Sequence, residues 1–188
     1  MKKKFFLAVC SAFLLCSNMS QANIFDEYDP DDSDDFLQIN YMKLGGGFIS
    51  LGQTSSFLPV VGIGRRLECF NMGIDYSATL GYQKGLIGNN RSIFFYSIPK
   101  ILCISFLDTS DTSSFYFGGG TSWGGVVNKN NKRIFHGIMG EAAIGYEMQR
   151  NSCMRSFIEL DLSQPLIAAY KKGQFPSPTL QIFFGLGF

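Results

Sequence analysis

Residues 179 to 188, TLQIFFGLGF, constrain the fold more than any other stretch. Leu180, Ile182, Phe184, Leu186 and Phe188 are apolar at every second position, while Gln181, Gly185 and Gly187 share the other parity with one bulky exception, Phe183. Side chains of a strand alternate faces with a period of two. The stretch therefore predicts a strand that lays a complete apolar stripe on a flat apolar surrounding and keeps its other face small or polar.

Seven further strand-like segments precede it, separated by turn chemistry. They are expected at about 36–51, 57–65, 71–82, 92–107, 114–127, 134–148 and 156–167. In the first, Leu37, Ile39 and Tyr41 alternate with Gln38 and Asn40 before glycines 45 to 47 blur the parity, which suggests a bulge. The third is regular: Met72, Ile74, Tyr76, Ala78, Leu80 and Tyr82 face one way, Gly73, Asp75, Ser77, Thr79 and Gly81 the other. The fourth is apolar on both faces and contains Pro99, whose missing N–H has to fall at a bulge if the strand is paired on both sides. The sixth sets Ile138, Ala142, Ile144, Tyr146 and Met148 against Glu141, Ala143, Gly145 and Glu147. The seventh sets Ile158, Leu160 and Leu162 against Glu159, Asp161 and Ser163.

The rest of the chain reads differently. Residues 1–22, MKKKFFLAVCSAFLLCSNMSQA, have the three lysines, apolar run and small-x-small ending of a secretory signal peptide. Residues 23–35 form an acidic leader in which DEYDPDDSDD holds seven acids; it has nothing to bury and is expected to be a disordered periplasmic tail. Asp29, Asp31 and Asp35 have possible calcium-ligand spacings, but the turn glycine and closing glutamate of such a loop are missing. No metal or cofactor is expected. The net charge of +1 hides a division: of 16 basic residues the signal takes three, leaving 13, and of 15 acids the leader takes seven, leaving eight. The remaining 36–188 is thus basic.

Each of the eight segments has the ~9–11 residues with which a tilted strand crosses a bilayer, and 21 glycines with 19 phenylalanines suit a crowded barrel in lipid. The fold expected is all-β, an eight-stranded antiparallel transmembrane β-barrel over residues 36–188. The signal peptide, the even strand count and the terminal LQIFFGLGF resemble the small outer-membrane barrels of the OmpA and OmpX type. That resemblance implies the outer membrane of a Gram-negative bacterium and insertion by the barrel-assembly machinery. The assembly signal would be the stripe Ile182, Phe184, Leu186 and Phe188. A soluble lipocalin-like barrel is the inverted alternative. It would crowd Phe184, Phe188, Tyr76, Tyr82 and Tyr146 into a lumen that barely holds its own side chains.

With the apolar stripes outward, Asp75, Glu141, Glu147, Glu159 and Asp161 face the lumen, joined by Lys100 and with Arg65 or Arg66 as a further candidate near the periplasmic end. Charges there have to be paired or hydrated, so a structural network is expected in place of an open channel. If the closing strand ends in the periplasm, the turns at 66–70, 108–113 and 150–155 are inner. The loops near 52–56, 83–91, 128–133 and 168–178 are outer. Lys84, Arg91, Lys129, Lys132, Arg133, Lys171 and Lys172 fall in or beside those loops, without an acid among them. Such a rim attracts anions. The function expected is a structural or interaction role, adhesin-like, in which the rim binds lipopolysaccharide or other anionic glycans; nucleic acid is not an expected partner. A lipid-modifying hydrolase is the alternative, and it would need His136, the only histidine, beside a Ser and an acid. Cys69 and Cys153 fall in inner turns, where they are candidates for cross-links to other envelope proteins.

Overall fold

A computed structural model describes residues 37–51, 54–84, 92–108, 112–128, 133–172 and 177–188. The signal peptide 1–22 and the leader 23–35 lie outside the described residues. Eight strands form one closed barrel: β1 Leu37–Leu51, β2 Thr54–Cys69, β3 Met72–Lys84, β4 Ser92–Phe106, β5 Ser113–Asn128, β6 Arg133–Met148, β7 Arg155–Lys172 and β8 Thr179–Gly187. Each pairs antiparallel with the next, and β8 returns to β1 with Thr179 opposite Ile49 and Gly187 opposite Tyr41. Asn40 and Phe188 exchange both backbone hydrogen bonds at the seam, 2.8 and 2.9 Å. No edge is left over along the seam, which is how a strand whose stripe runs to its last residue keeps its backbone groups satisfied in lipid.

The outward face is an apolar belt: Leu44, Ile144, Ile182 and Phe184 are all more than half exposed. Large rings gather toward its two ends, with Tyr76, Phe115 and Phe117 on one side and Phe48, Phe57, Tyr82 and Trp123 on the other. Such girdles mark the two bilayer interfaces. The stripes of the third, sixth, seventh and eighth strands all lie on this belt, so the inverted, lipocalin-like arrangement is excluded. In β1 the stripe runs the other way: Ile39 and Tyr41 are buried in the lumen, and Met42, Leu44 and Phe48 face out.

Three sequence expectations about local geometry need correction. The glycines of β1 form no bulge, because pairing with β2 runs from Leu37 opposite Glu68 to Leu51 opposite Thr54 without a shift. Their role is room: a Cβ at Gly46 would overlap the Phe57 ring, and one at Gly45 would meet Phe183. The turn expected at 66–70 is shorter, since β2 continues to Cys69 and Phe70 adopts the left-handed region, φ 54°, in a tight connection to β3. β7 continues past 167 to Lys172. Two register shifts against β6 insert extra residues at 166 and 169, so Ile138 faces Ile167, Gly137 faces Ala168 and His136 faces Tyr170. Each bulge flips the alternation, which is why the pattern breaks near Ile167. A further shift between Ser97 and Lys100 in β4 places the cis Ile98–Pro99 peptide in a bulge, outside the regular ladder.

Candidate functional site

The lumen is filled in layers. Toward the end opposite the chain termini, Ile49, Leu58, Val60, Ile93, Phe95, Val126, Phe135, Met139 and Phe183 pack into an apolar plug. β4 supplies Ile93 and Phe95 to this plug while Phe94 and Tyr96 face lipid, which accounts for a strand that is apolar on both faces.

Below the plug, charge takes over. Lys43 reaches from β1 to Glu159 and, at 3.1 Å, to Asp161; Lys100 reaches Asp161 Oδ2 at 2.5 Å. Glu141 accepts from the hydroxyls of Ser97, Ser122 and Ser163 at 3.2, 2.5 and 2.6 Å. The Tyr116 hydroxyl donates to Glu159 at 2.7 Å, and the Tyr41 hydroxyl donates to Asp75 at 2.6 Å. Deeper still, Arg66 bonds Glu147 at 2.6 Å and Asp75 at 3.4 Å, and its guanidinium lies 4.7 Å from the centre of the Tyr116 ring. Arg155 joins Glu68 and Glu147 at 3.0 and 2.9 Å, and Arg150 closes the end over Phe106 at 3.9 Å.

All six lumen residues named from sequence, Asp75, Lys100, Glu141, Glu147, Glu159 and Asp161, are therefore in one buried web. Arg66 belongs to it, whereas Arg65 turns away to Asn40, 3.0 Å distant. Sequence reasoning missed Lys43, Glu68, Arg150 and Arg155. Lys43 shares the parity of Ile39 and Tyr41, so knowing which face of β1 is inward would have found it. The others were assigned to turns that the strands extend into or border. Because carboxylates buried in low dielectric demand donors, the density of cross-lumen bonds is what makes this interior stable as a solid plug.

Of the proposed rim residues, the described ones fall at the end of the barrel opposite the start of β1 and the finish of β8. Lys84 is exposed at the end of β3; Lys171 and Lys172 are exposed at the end of β7, within the strand and not in the loop expected from 168. Arg133 opens β6 opposite Asn128, so it lies in a strand as well. Arg91, Lys129 and Lys132 lie outside the described residues. Connection lengths do not separate the two ends: β1–β2 and β2–β3 each turn within two residues.

His136 faces outward, and its Nδ1 shares a 2.5 Å hydrogen bond with the Tyr96 hydroxyl. Its ring also lies 6.3 Å from that of Tyr170. Ile182, Phe184, Leu186 and Phe188 all face the bilayer. Cys69 is half-buried at the end of β2, Cys153 is exposed in the β6–β7 connection, and both thiols are free.

A closed antiparallel wall, an outward apolar belt and a lumen packed with ion pairs define the class of fold: the chain has the architecture of the small eight-stranded outer-membrane β-barrels. No family model and no curated protein matches the sequence. Among solved structures the chain is similar to Neisserial surface protein A, with TM-score 0.63 and 8% identity over 80% of this chain and 95% of that one. It is also similar to Ail, the attachment invasion locus protein of Yersinia pestis, with TM-score 0.56 and 9% identity over 80% and 95% of the two chains. A second structure of Ail, in complex with the heparin analogue sucrose octasulfate, matches at TM-score 0.54 and 11% identity over 80% and 97%. At these identities the likeness is one of fold.

Proposed function

We propose that this barrel is an interaction protein of the outer membrane whose basic outer rim binds lipopolysaccharide or other anionic glycans, in the manner of an adhesin. The observation that carries the reading is the filled lumen. With no room for a solute inside, recognition falls to the surface, where exposed Lys84, Lys171 and Lys172 mark the end away from the termini. Arg91, Lys129, Lys132 and Arg133 follow in the same connections by sequence. Both termini are taken as periplasmic, which turns that end outward. The sulfated ligand held by Ail, a barrel of the same fold, belongs to the chemistry a cationic rim would accept.

The role we read is binding; the one histidine shares its Nδ1 hydrogen bond with the Tyr96 phenol. Insertion by the barrel-assembly machinery through Ile182, Phe184, Leu186 and Phe188, and cross-links to envelope proteins through Cys69 and Cys153, belong to the same proposal.

The test is binding of sucrose octasulfate and heparin oligosaccharide to the barrel in nanodiscs. A variant carrying Lys84→Glu, Lys129→Glu, Lys132→Glu and Arg133→Glu is expected to bind at least about tenfold more weakly. Wild-type binding should also weaken as salt shortens the Debye length from roughly 10 Å at 0.1 M. Binding that ignores both the substitutions and salt overturns the reading.

A further inference from the structure

Three strands below the rim carry an outward polar cluster that neither the lumen nor the belt requires. Tyr96 on β4 and His136 on β6 are separated by β5, yet they hydrogen-bond over it. Gly125 makes this possible: it pairs with both Tyr96 and His136, and a Cβ there would come within 2.7 Å of His136 Nδ1 and 2.7 Å of Tyr96 Cε1. In the tautomer whose Nδ1 accepts from the Tyr96 hydroxyl, the ring proton sits on Nε2, which is then a donor.

The bulge at 169 then turns Tyr170 outward beside the same ring, and Lys172, opposite Ile134, follows on the same face. Without that bulge Tyr170 would point into the lumen. Among the described residues, His136 Nε2, the Tyr170 hydroxyl and the exposed Lys172 ammonium have no hydrogen-bond or ion-pair partner. All three project from the outward wall within four residues of their strands' ends, at the level of the bilayer interface. Donors held at that depth need an acceptor supplied by the lipid.

We propose that His136, Tyr170 and Lys172, with Tyr96 fixing the imidazole, form a docking site on the barrel wall for the phosphate of an outer-leaflet glycolipid, the phosphorylated headgroup of lipid A. The site rests on the orientation proposed above but differs from the rim: it takes a lipid of the protein's own leaflet, from the side. A phosphate offers anionic oxygens to three donors carried on the same face of two adjacent strands. Charge-assisted bonds of this kind are the strong ones.

The single histidine makes the test clean, because a barrel labelled with 15N-histidine gives one imidazole to observe. In nanodiscs, titration with bis-phosphorylated lipid A is expected to shift the Nε2 resonance to saturation. Dephosphorylated lipid A and inorganic phosphate are expected to leave it unmoved. Lys172→Ala and Tyr170→Phe, both on an exposed face where folding is not at stake, are each expected to weaken the apparent affinity about tenfold. Gly125→Ala, by crowding the Tyr96–His136 bond, should weaken it as well, and a heat-modifiable band would show that variant folded.

No shift with lipid A, or an equal shift with its dephosphorylated form, overturns the site. An equal shift with inorganic phosphate reduces it to nonspecific anion binding and overturns the lipid assignment. The rim variant carrying Lys84→Glu, Lys129→Glu, Lys132→Glu and Arg133→Glu is expected to leave this titration intact, and Tyr170→Phe, which lies outside the rim, is expected to leave soluble-glycan binding intact. Failure of either reading therefore remains separate from failure of the other.

Discussion

The Lys100 ammonium on β4 donates to Asp161 Oδ2 on β7 at 2.5 Å, joining two strands that are not neighbours in the wall. The bond crosses the lumen, and Lys43 meets the same oxygen from β1 at 3.1 Å. Closure of the barrel is thus reinforced through its interior as well as around its circumference. Replacing one partner strands the other's charge in a dry site.

Lys100→Met is accordingly expected to destabilise the folded barrel by about 3–5 kcal/mol, whereas Lys100→Met with Asp161→Asn recovers a large part of that loss. Urea midpoints, read as the fraction of the fast-migrating folded band on unboiled gels, check both. Equal destabilisation by the single and double variants would show that the two groups do not couple.

Rings in the lumen are seated against glycines on the adjoining strand. A Cβ on Gly185 would overlap the Phe157 ring, and one on Gly145 would overlap the Tyr116 ring. Gly185→Ala should therefore cost about 1–3 kcal/mol through overpacking. Phe157→Leu in the same chain should restore much of it, since it removes the ring that the methyl displaces.

Among the described residues, nine buried apolar residues pack above a web of ion pairs in the lumen. Reconstituted in planar bilayers, the wild-type barrel is expected to show no stepwise conductance. Discrete current steps from a homogeneous, folded sample would contradict the packing described.

The belt tolerates apolar exchange but not charge. Ile144→Arg, at a position 54% exposed in the middle of β6, is expected to lose about 2–4 kcal/mol of folding stability in a bilayer. Lys84→Ala at the strand end should change stability by less than about 0.5 kcal/mol. Refolding titrations in lipid vesicles compare the two directly.

Cys153 is exposed in the β6–β7 connection at the end that holds both termini. In a variant with Cys69→Ser and Cys103→Ser, a membrane-impermeant maleimide should label Cys153 only after the outer membrane is permeabilised. Labelling of intact cells would reverse the assigned orientation, and with it the placement of the rim.

Legibility differed by strand, and the reason is visible in each. In β3 and β6 the apolar stripe and the opposite carboxylates agree, and the bulges beside them fall in the partner strands β4 and β7, so the inward face could be named from alternation alone. β1 defeated that reasoning because apolar residues occupy both of its faces, Ile39, Tyr41 and Ile49 in the lumen and Met42, Leu44 and Phe48 outside, with glycines between them. The same uncertainty hid Lys43. Arg155 and Glu68 were hidden by strand length: turn chemistry near 66–70 and 150–155 suggested loops, but pairing in a closed barrel carries β2 to Cys69 and starts β7 at Arg155. Tyr170 was out of reach for a different reason, since two bulges in β7 rephase its side chains and leave no mark in composition.

The sequence by itself determined the number of strands, their apolar and polar faces through most of the chain, and the gathering of carboxylates on one side of the wall, because a period of two is a local property that each strand carries alone. Only the tertiary structure decided which carboxylate meets which cation, that the lumen is apolar toward the end where β7 finishes and β8 begins, and that Tyr96 reaches His136 across Gly125. Those relations depend on register, and register is set by bulges, by glycines that admit a neighbour's ring and by the closure of β8 on β1. They are long-range matches of shape and charge that no single segment contains.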